Sequence, residues 1–347
     1  MLLTHLKNIG YACTGFKQYR WMRSNILIAA LCIAFGVALT TFAQVTQRAL
    51  PQSEASEIQA LMARVGPPSD LALDEFKKAG MENVTQHTLT APERAKVQAL
   101  LASLPALHRH VLGRKLHNLA FVDGIPGEGT GLTSANAKTG LYDITLRASI
   151  LDESLSQFLT TKEHRVFTTE GSGITVEVKG TGTDAVTYVL LHESTHVVDQ
   201  SCNITSQPHS RFVEGIWTEP HTLVPKLASS TAGTTYFHHG RPLGFSQAAT
   251  VYDSLAQSPF VSLYSTASEQ EDFAELVAWR EVMQQHSGNL IIEMVDADGK
   301  ILRRWEPLTF PGVQKRFADV DDLLASKGYC GTAPLAPTRS AAGGGGK

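Results

Sequence analysis

VTYVLLHESTHVVDQ, at residues 186–200, is the most informative stretch of the chain. Its apolar residues recur with helical spacing around the pattern His-Glu-Ser-Thr-His, which predicts a buried helix over about residues 184–200. His192 and His196 are one helical turn apart, so both side chains can reach one metal ion. Glu193 follows the first histidine, where its carboxylate can take a proton from a metal-bound water. The alternative is a core helix with two hydrogen-bonded histidines.

A metal ion bound in this way needs a third protein ligand. The candidate ligands in the C-terminal part of the chain are Glu219, His221, His238, His239, Glu269, Glu271 and Glu275. One established spacing, HExxHxxGxxH, is excluded because Asp199 and Cys202 occupy the positions of its glycine and third histidine. The third ligand is therefore expected from a segment further along the sequence.

A second predicted helix, over residues 268–285, favours Glu271 as this ligand, with Glu219 as the second choice. Glu271 and Glu275 are one turn apart, so Glu271 can bind the metal while Glu275 holds the far nitrogen of a ligating histidine. Ser268 and Glu271 also fit the capping-box pattern S-x-x-E, which by itself would explain Glu271. Capping does not explain the apolar residues that surround Glu275.

The stretch from Tyr264 to Glu275, YSTASEQEDFAE, together with the HESTHVVD sequence that ends at Asp199, resembles the catalytic domain of anthrax lethal factor-like gluzincin metallopeptidases. The resemblance covers about residues 185–280. It implies a zincin-like α+β domain with a mixed sheet, one helix that carries the HExxH motif and a second helix that carries a glutamate ligand. The chain departs from that family at Asp272, where the family has an apolar residue, and in a longer stretch between the two helices.

The resemblance also implies a role for each site residue. It implies one Zn²⁺ per chain, bound by His192, His196 and Glu271. Glu193 would act as the general base, and Tyr264 would donate a hydrogen bond to the oxyanion. Glu275 would support a ligating histidine from behind.

Composition excludes several classes of protein. A chain of 347 residues with 43% hydrophobic and 18% charged residues is not wholly disordered, collagen-like or a multi-span membrane protein. The first 43 residues hold basic residues but no acidic ones, which leaves 26 basic against 33 acidic residues in the remainder. Because a mildly acidic body is poorly suited to phosphate contacts, we expect no nucleic-acid partner. The resemblance to metallopeptidases implies a peptide or protein substrate instead.

The N-terminal segment predicts export. Residues 26–39, ILIAALCIAFGVAL, form an uncharged apolar run that follows two arginines and precedes the small-residue site Thr41-Phe42-Ala43. This pattern predicts a signal peptide in residues 1–43, with an uncleaved membrane anchor as the alternative. We therefore expect a periplasmic or secreted chain that contacts a membrane only through this segment, if the segment stays uncleaved.

Cysteine usage agrees with export. Cys13 and Cys32 lie in the predicted signal, so Cys202 and Cys330 remain in the mature chain. Two cysteines in an exported protein predict one disulfide bond, and two free thiols are the alternative.

The rest of the chain predicts one α+β domain with a helical N-terminal extension. Residues 44–90 read as a linker or extension, residues 91–330 as the zincin-like domain, and residues 331–347 as a disordered tail. Residues 203–262 are irregular and polar, which is typical of a functional lid or an insertion.

Turn signals divide the strand-like runs of this domain. Glycine-containing turns predict one hairpin from residues 165–169 and 174–179, and a second from residues 290–295 and 300–305. Residues 141–150 read either as an edge strand that could bind an extended peptide or as an internal strand.

These features together predict an exported zinc metalloendopeptidase of the gluzincin type, with Glu193 as general base. The alternative function is that of a non-catalytic zinc-binding envelope or binding protein that retains the zincin fold. A third possibility, a chance match to the motif, predicts that no stoichiometric zinc is bound.

Overall fold

The computed structural model describes residues 52–136 and 139–325. The predicted signal at residues 1–43, the second cysteine at Cys330 and the predicted tail at residues 331–347 lie outside this range. Cys202 is disulfide-bonded, and its predicted pairing with Cys330 stays a prediction. Within the described range, no helix has both the length and the apolar composition that a membrane span needs.

Ten α-helices lie in the described part of the chain. They are α1 (Gln52–Met62), α2 (Asp70–Lys78), α3 (Ala91–Ser103), α4 (Ala106–Lys115), α5 (Leu155–Glu163), α6 (Ala185–Cys202), α7 (Pro225–Ala228), α8 (Ala248–Ala256), α9 (Glu269–His286) and α10 (Pro311–Ala325). The predicted helices of the motif and of the glutamate ligand correspond to α6 and α9, and both are confirmed.

Eleven short strands accompany these helices in the same range. They are β1 (Glu82–Gln86), β2 (Leu116–Ile125), β3 (Gly131–Asn136), β4 (Leu141–Arg147), β5 (Phe167–Thr168), β6 (Thr175–Gly180), β7 (Trp217–Glu219), β8 (Thr222–Leu223), β9 (Leu243–Gly244), β10 (Leu290–Val295) and β11 (Ile301–Trp305). A mixed four-stranded sheet has the order β1-β2-β4-β3, and a three-stranded antiparallel sheet has the order β11-β10-β6. The predicted α+β class is confirmed.

β4 is an internal strand of the mixed four-stranded sheet. β4 lies between β2, to which it is parallel, and β3, to which it is antiparallel. The interpretation of residues 141–150 as an edge strand is therefore wrong, and the internal alternative is correct. The edge strands of this sheet are β1 and β3, and β3 packs beside α6.

Of the two predicted hairpins, one forms. β10 and β11 pair as antiparallel neighbours, as the Asp298-Gly299 turn indicated. The prediction of a hairpin from residues 165–169 and 174–179 is wrong. β5 pairs in parallel with β9, and β6 pairs with β10. Val176 and Val178 of β6 are buried in this arrangement. A local turn pattern does not indicate burial that depends on a strand distant in sequence.

The N-terminal extension packs on the same hydrophobic core as helices α6 and α9. Ile58, Leu61 and Met62 of α1 are buried in the main hydrophobic cluster. β1 pairs with β2 and so completes the four-stranded sheet. Residues 52–90 thus contribute structure to the sheet that supports α6.

The long segment of residues 203–262 is also anchored in the core. Arg316 of α10 forms a paired contact with Asp272 of α9 at 2.8 and 2.9 Å. The same guanidinium donates to the carbonyl oxygens of Phe212 and Pro259, near the two ends of the segment. Trp217 adds a hydrogen bond from its indole N–H to Asp272. The segment is therefore fixed to α9 and α10 near both of its ends.

We expect Arg316→Met to destabilise the chain by about 3–5 kcal/mol, because Asp272 would keep a buried charge with no cationic partner. The measurement is urea unfolding of the purified chain. The double variant Asp272→Leu with Arg316→Met should recover much of the loss, since both charges are then removed.

Arg280→Met is the matched control, because Arg280 pairs with the partly exposed Asp321 and a surface pair contributes about 0–1 kcal/mol. Equal losses for Arg316→Met and Arg280→Met would contradict the role given to the buried pair.

Candidate metal centre

Helix α6 presents the motif on a buried face. Its N-terminus is capped by Asp184, whose carboxylate accepts a hydrogen bond from the Thr187 amide at 3.1 Å. Its C-terminus ends at Asn203, which takes the left-handed conformation. The helix is buried on nearly every side, and His192 and Glu193 are 6% and 8% exposed. Ionisable groups so deep in a protein need specific partners.

Three potential ligand atoms meet at one point beside this helix. The Nε2 atoms of His192 and His196 are 3.2 Å apart. Glu271 Oε2 lies 2.9 Å from the first nitrogen and 3.5 Å from the second. Within the described residues, this is the one cluster of three side chains with the types and spacing of metal ligands. The cluster could hold a metal ion.

Glu271 takes part in the helix cap and contacts the two histidines, and it does so through different atoms. Ser268 caps α9 by accepting a hydrogen bond from the Glu271 amide at 3.2 Å. The Glu271 carboxylate, in contrast, contacts His192 and His196. Capping therefore uses the backbone of Glu271 and leaves its side chain for the histidines.

The other candidate ligands lie elsewhere. Glu219 is exposed on β7, and His221 faces the carbonyl oxygen of Ala267 at 3.4 Å. His238 contacts the carbonyl oxygen of Thr266 at 2.6 Å. Neither these residues nor His239 and Glu269 belong to the cluster found in the described range.

Glu275 lies behind His192, on the side away from Glu271. Its Oε1 atom is 3.3 Å from His192 Nδ1, although that nitrogen lacks a hydrogen bond of good geometry. The carboxylate also accepts hydrogen bonds from Tyr188 and from Ser262. Glu275 is 1% exposed, so these contacts fix its position.

The two glutamates change the electrostatics of the site. Burial alone would lower the pKa of His192, but Glu271 and Glu275 outweigh it and raise this pKa to about 10. Burial would raise the pKa of Glu275, but Lys162 and His192 hold it at about 2. His196 and His192 likewise keep the pKa of Glu271 well below its usual range despite burial. The site therefore stabilises positive charge between its carboxylates.

Glu193 is held by strand β3, a contact that the sequence did not reveal. The Thr133 hydroxyl donates to Glu193 Oε2 at 2.7 Å. Gly131, two residues earlier, leaves the space that the carboxylate occupies, since an added Cβ there would lie 2.4 Å from Glu193 Oε1. No local pattern marks either residue, because the contact joins segments about 60 residues apart in sequence.

Tyr264 lies beside the candidate metal ligands, in a short 3₁₀ turn before α9. Its ring centre is 6.0 Å from that of His192, and the ammonium of Lys162 lies 3.4 Å above the ring. Phe237 packs edge-on against the Tyr264 ring, with the two ring centres 5.2 Å apart. Burial and the charges of Glu271 and Glu193 raise the pKa of Tyr264 well above its usual value.

A third histidine, His108 of α4, packs behind the motif. Its Nε2–H donates to Thr195 Oγ1 at 2.9 Å, and Thr195 in turn donates to the Leu191 carbonyl. His108 Nδ1 is buried and has no hydrogen-bond partner among the residues that the structure describes. Burial lowers the pKa of His108 to about 3, so this histidine is neutral in the folded chain at ordinary pH.

We expect this histidine to make the fold acid-sensitive. Below pH about 6.5 the unfolded chain binds a proton at His108 that the folded chain refuses until pH about 3. The contribution of neutral His108 to the free energy of unfolding is therefore fully present above pH 6.5. It falls as the pH drops through this window, by up to about 1.4 kcal/mol per pH unit. Urea unfolding between pH 7 and 4 measures the slope.

His108→Gln keeps a donor for Thr195 and removes the titration, so its stability should depend less on pH than that of the wild type. His117→Gln is the control, because the His117 side chain is 60% exposed. Identical slopes for wild type and His108→Gln would exclude His108 as the source.

Comparison of the chain with protein-family models, with curated proteins and with solved structures finds no match. What the site can do is therefore inferred from its own residues.

Proposed function

We propose that the chain is an exported zinc metalloendopeptidase of the gluzincin type, with a zincin-like fold. The observation that carries the proposal is the convergence of His192, His196 and Glu271 beside the buried carboxylate of Glu193. Two histidines and a glutamate are the ligand set of catalytic zinc sites that keep one coordination position free. The resemblance of residues 185–280 to lethal factor-like metallopeptidases belongs to the same proposal.

The distances between the ligand atoms support zinc. Ligand atoms about 2.0–2.1 Å from a tetrahedral ion are about 3.3 Å apart. The three separations at this site are 2.9, 3.2 and 3.5 Å. They surround the tetrahedral value, so small side-chain movements would suffice for binding.

The residues around the cluster can carry the proton transfers of peptide hydrolysis. Zinc, when bound, would acidify a water molecule and polarise the carbonyl group of the substrate. Glu193 accepts the proton of the attacking water and returns it to the leaving amine. Thr133 engages one oxygen of this carboxylate, which leaves the other available for the proton.

Tyr264 is suited to stabilise the oxyanion. Its raised pKa keeps the hydroxyl protonated at neutral pH, so it can donate a hydrogen bond as negative charge develops. The Lys162 ammonium against its ring and the neighbouring Phe237 limit its movement. Glu275 acts on His192 and fixes the orientation of the imidazole.

The free edge of the mixed sheet supports a peptide substrate. β3 has one unpaired side within the described part of the sheet, and its Thr133 touches the general base. An extended peptide that pairs with β3 through main-chain hydrogen bonds would pass beside Glu193. This arrangement favours cleavage within a chain, since an edge strand accepts peptides of any length.

Metal analysis and a peptide digest test the proposal. The purified full chain should hold one zinc per molecule, and it should cleave members of a mixed peptide library. A chelator should abolish cleavage, and added zinc should restore it. Zinc without cleavage of any peptide would favour the non-catalytic binding protein, and the absence of stoichiometric zinc would indicate a chance motif.

A further inference from the structure

A small pocket opens beside the candidate metal centre. Its volume is about 130 Å³, which is far below that of a site for a drug-sized ligand and suits one chemical group of a substrate. His192, Glu193 and Tyr264 belong to its wall, so a group that enters it lies next to the site of reaction. Two cationic side chains, Lys162 and Arg165, also line it.

The two cations differ in how their charge is balanced. Lys162 is engaged inside the protein, with its ammonium 3.5 Å from Glu275 and over the ring of Tyr264. Arg165 donates to the carbonyl oxygen of Glu128 at 2.8 Å. In the described range, no carboxylate lies within ion-pair distance of its guanidinium.

The carboxylates that line the pocket accept hydrogen bonds from other side chains of the protein. Glu128 turns its carboxylate to the hydroxyl of Tyr236, at 3.1 and 3.3 Å, although its backbone contacts Arg165. Glu193 accepts a hydrogen bond from the Thr133 hydroxyl. The pocket therefore presents a guanidinium whose charge is not neutralised by direct contact, and guanidinium groups bind carboxylates through paired hydrogen bonds.

We propose that this pocket binds a carboxylate of the substrate peptide, with Arg165 as its recognition residue. The inference rests on the proposed function, because it takes the neighbouring cluster as the zinc site. Two sources supply this chemistry: an aspartate or glutamate side chain next to the cleaved bond, or the free carboxyl terminus of a short substrate. The first makes the enzyme select acidic residues beside the cleaved bond. The second would give it carboxypeptidase activity in place of the endopeptidase activity proposed above.

The experiment uses peptide hydroxamates, whose hydroxamate group anchors to zinc and so presents the adjacent side chain to the pocket. Five otherwise identical compounds carry Glu, Gln, Leu or Lys next to the hydroxamate, all amidated, or Leu with a free carboxyl terminus. Binding to the zinc-loaded full chain is measured by calorimetry, without any need for hydrolysis. We expect one of the two carboxylate-bearing compounds to bind about 10–100-fold more tightly than the amidated Gln and Leu compounds.

Variants assign the preference to Arg165. Arg165→Gln should remove the preference, and Arg165→Glu should shift it toward the Lys compound. Arg303→Gln is the control, since Arg303 lies on β11 and pairs with Asp253 outside the pocket. A tight Glu compound identifies the side chain as the source, and a tight free-carboxyl compound identifies the chain terminus.

The outcomes separate this inference from the proposed function. A chain that holds zinc and binds all five compounds equally, or that keeps its preference in Arg165→Gln, overturns the carboxylate pocket alone. A wild-type chain that holds no zinc, seen in metal analysis before any compound is added, overturns both.

Discussion

Replacing Glu193 with glutamine should leave zinc bound and lower peptide hydrolysis by a factor on the order of 10² or more. The proposed ligand atoms belong to His192, His196 and Glu271, so the substitution removes none of them. Glutamine has nearly the same shape and keeps an oxygen that can accept the hydrogen bond from Thr133. What it loses is the ability to take a proton from water at neutral pH.

Two measurements are needed on the same preparation. Zinc content by mass spectrometry should match the wild type, and kcat on a cleaved library peptide should fall far more than KM changes. Glu177→Gln on the exposed face of β6 is the matched control, and it should behave as the wild type in both. A Glu193→Gln chain with full zinc and wild-type kcat would remove Glu193 as the base.

The sequence predicted the parts of the site whose signals are local. α6 and α9 each carry a helical period over about five turns, and their caps stand at fixed offsets from the first buried residue. The ligand types and their spacing on one helix follow from the same period. The choice of Glu271 also rested on its own helix, because apolar residues surround Glu275 one turn further along.

What the sequence could not supply are contacts between distant segments. Thr133 and Gly131 reach Glu193 only because β3 becomes the sheet edge beside α6, and that order depends on pairing across the whole sheet. The failed hairpin has the same cause. β6 pairs with β10, a strand more than 100 residues away in sequence, rather than with the segment before it. Single-sequence patterns do not report such long-range pairing.

Asp272 shows how a buried carboxylate can be accommodated next to the candidate metal centre. A buried carboxylate in place of an apolar side chain would by itself be costly. Here Arg316 supplies a paired cation from α10, and Trp217 adds a hydrogen bond. The same contacts also fix the segment of residues 203–262 to the helix that carries Glu271.

Replacing Glu271 with alanine should have the largest effect on metal binding of any single change outside the histidines. It removes one of three ligands and leaves two imidazoles, which hold zinc weakly. We expect zinc occupancy to fall sharply at equal total zinc, measured after equilibrium dialysis against a metal buffer. Glu219→Ala is the matched control, because Glu219 is exposed on β7 and lies outside the cluster.

Glu275→Gln should fall between these two. Tyr188 and Ser262 donate to different oxygens of the Glu275 carboxylate, so the amide keeps an acceptor for one of them. It removes the charge behind His192 Nδ1. Residues that support a ligand in this way change metal affinity by about 10–100-fold without abolishing the site. The expected order of zinc affinity is therefore wild type and Glu219→Ala, then Glu275→Gln, then Glu271→Ala. If Glu219→Ala empties the site while Glu271→Ala retains zinc, the pairing of α6 with α9 does not form the metal centre, and Glu271 serves the helix terminus alone.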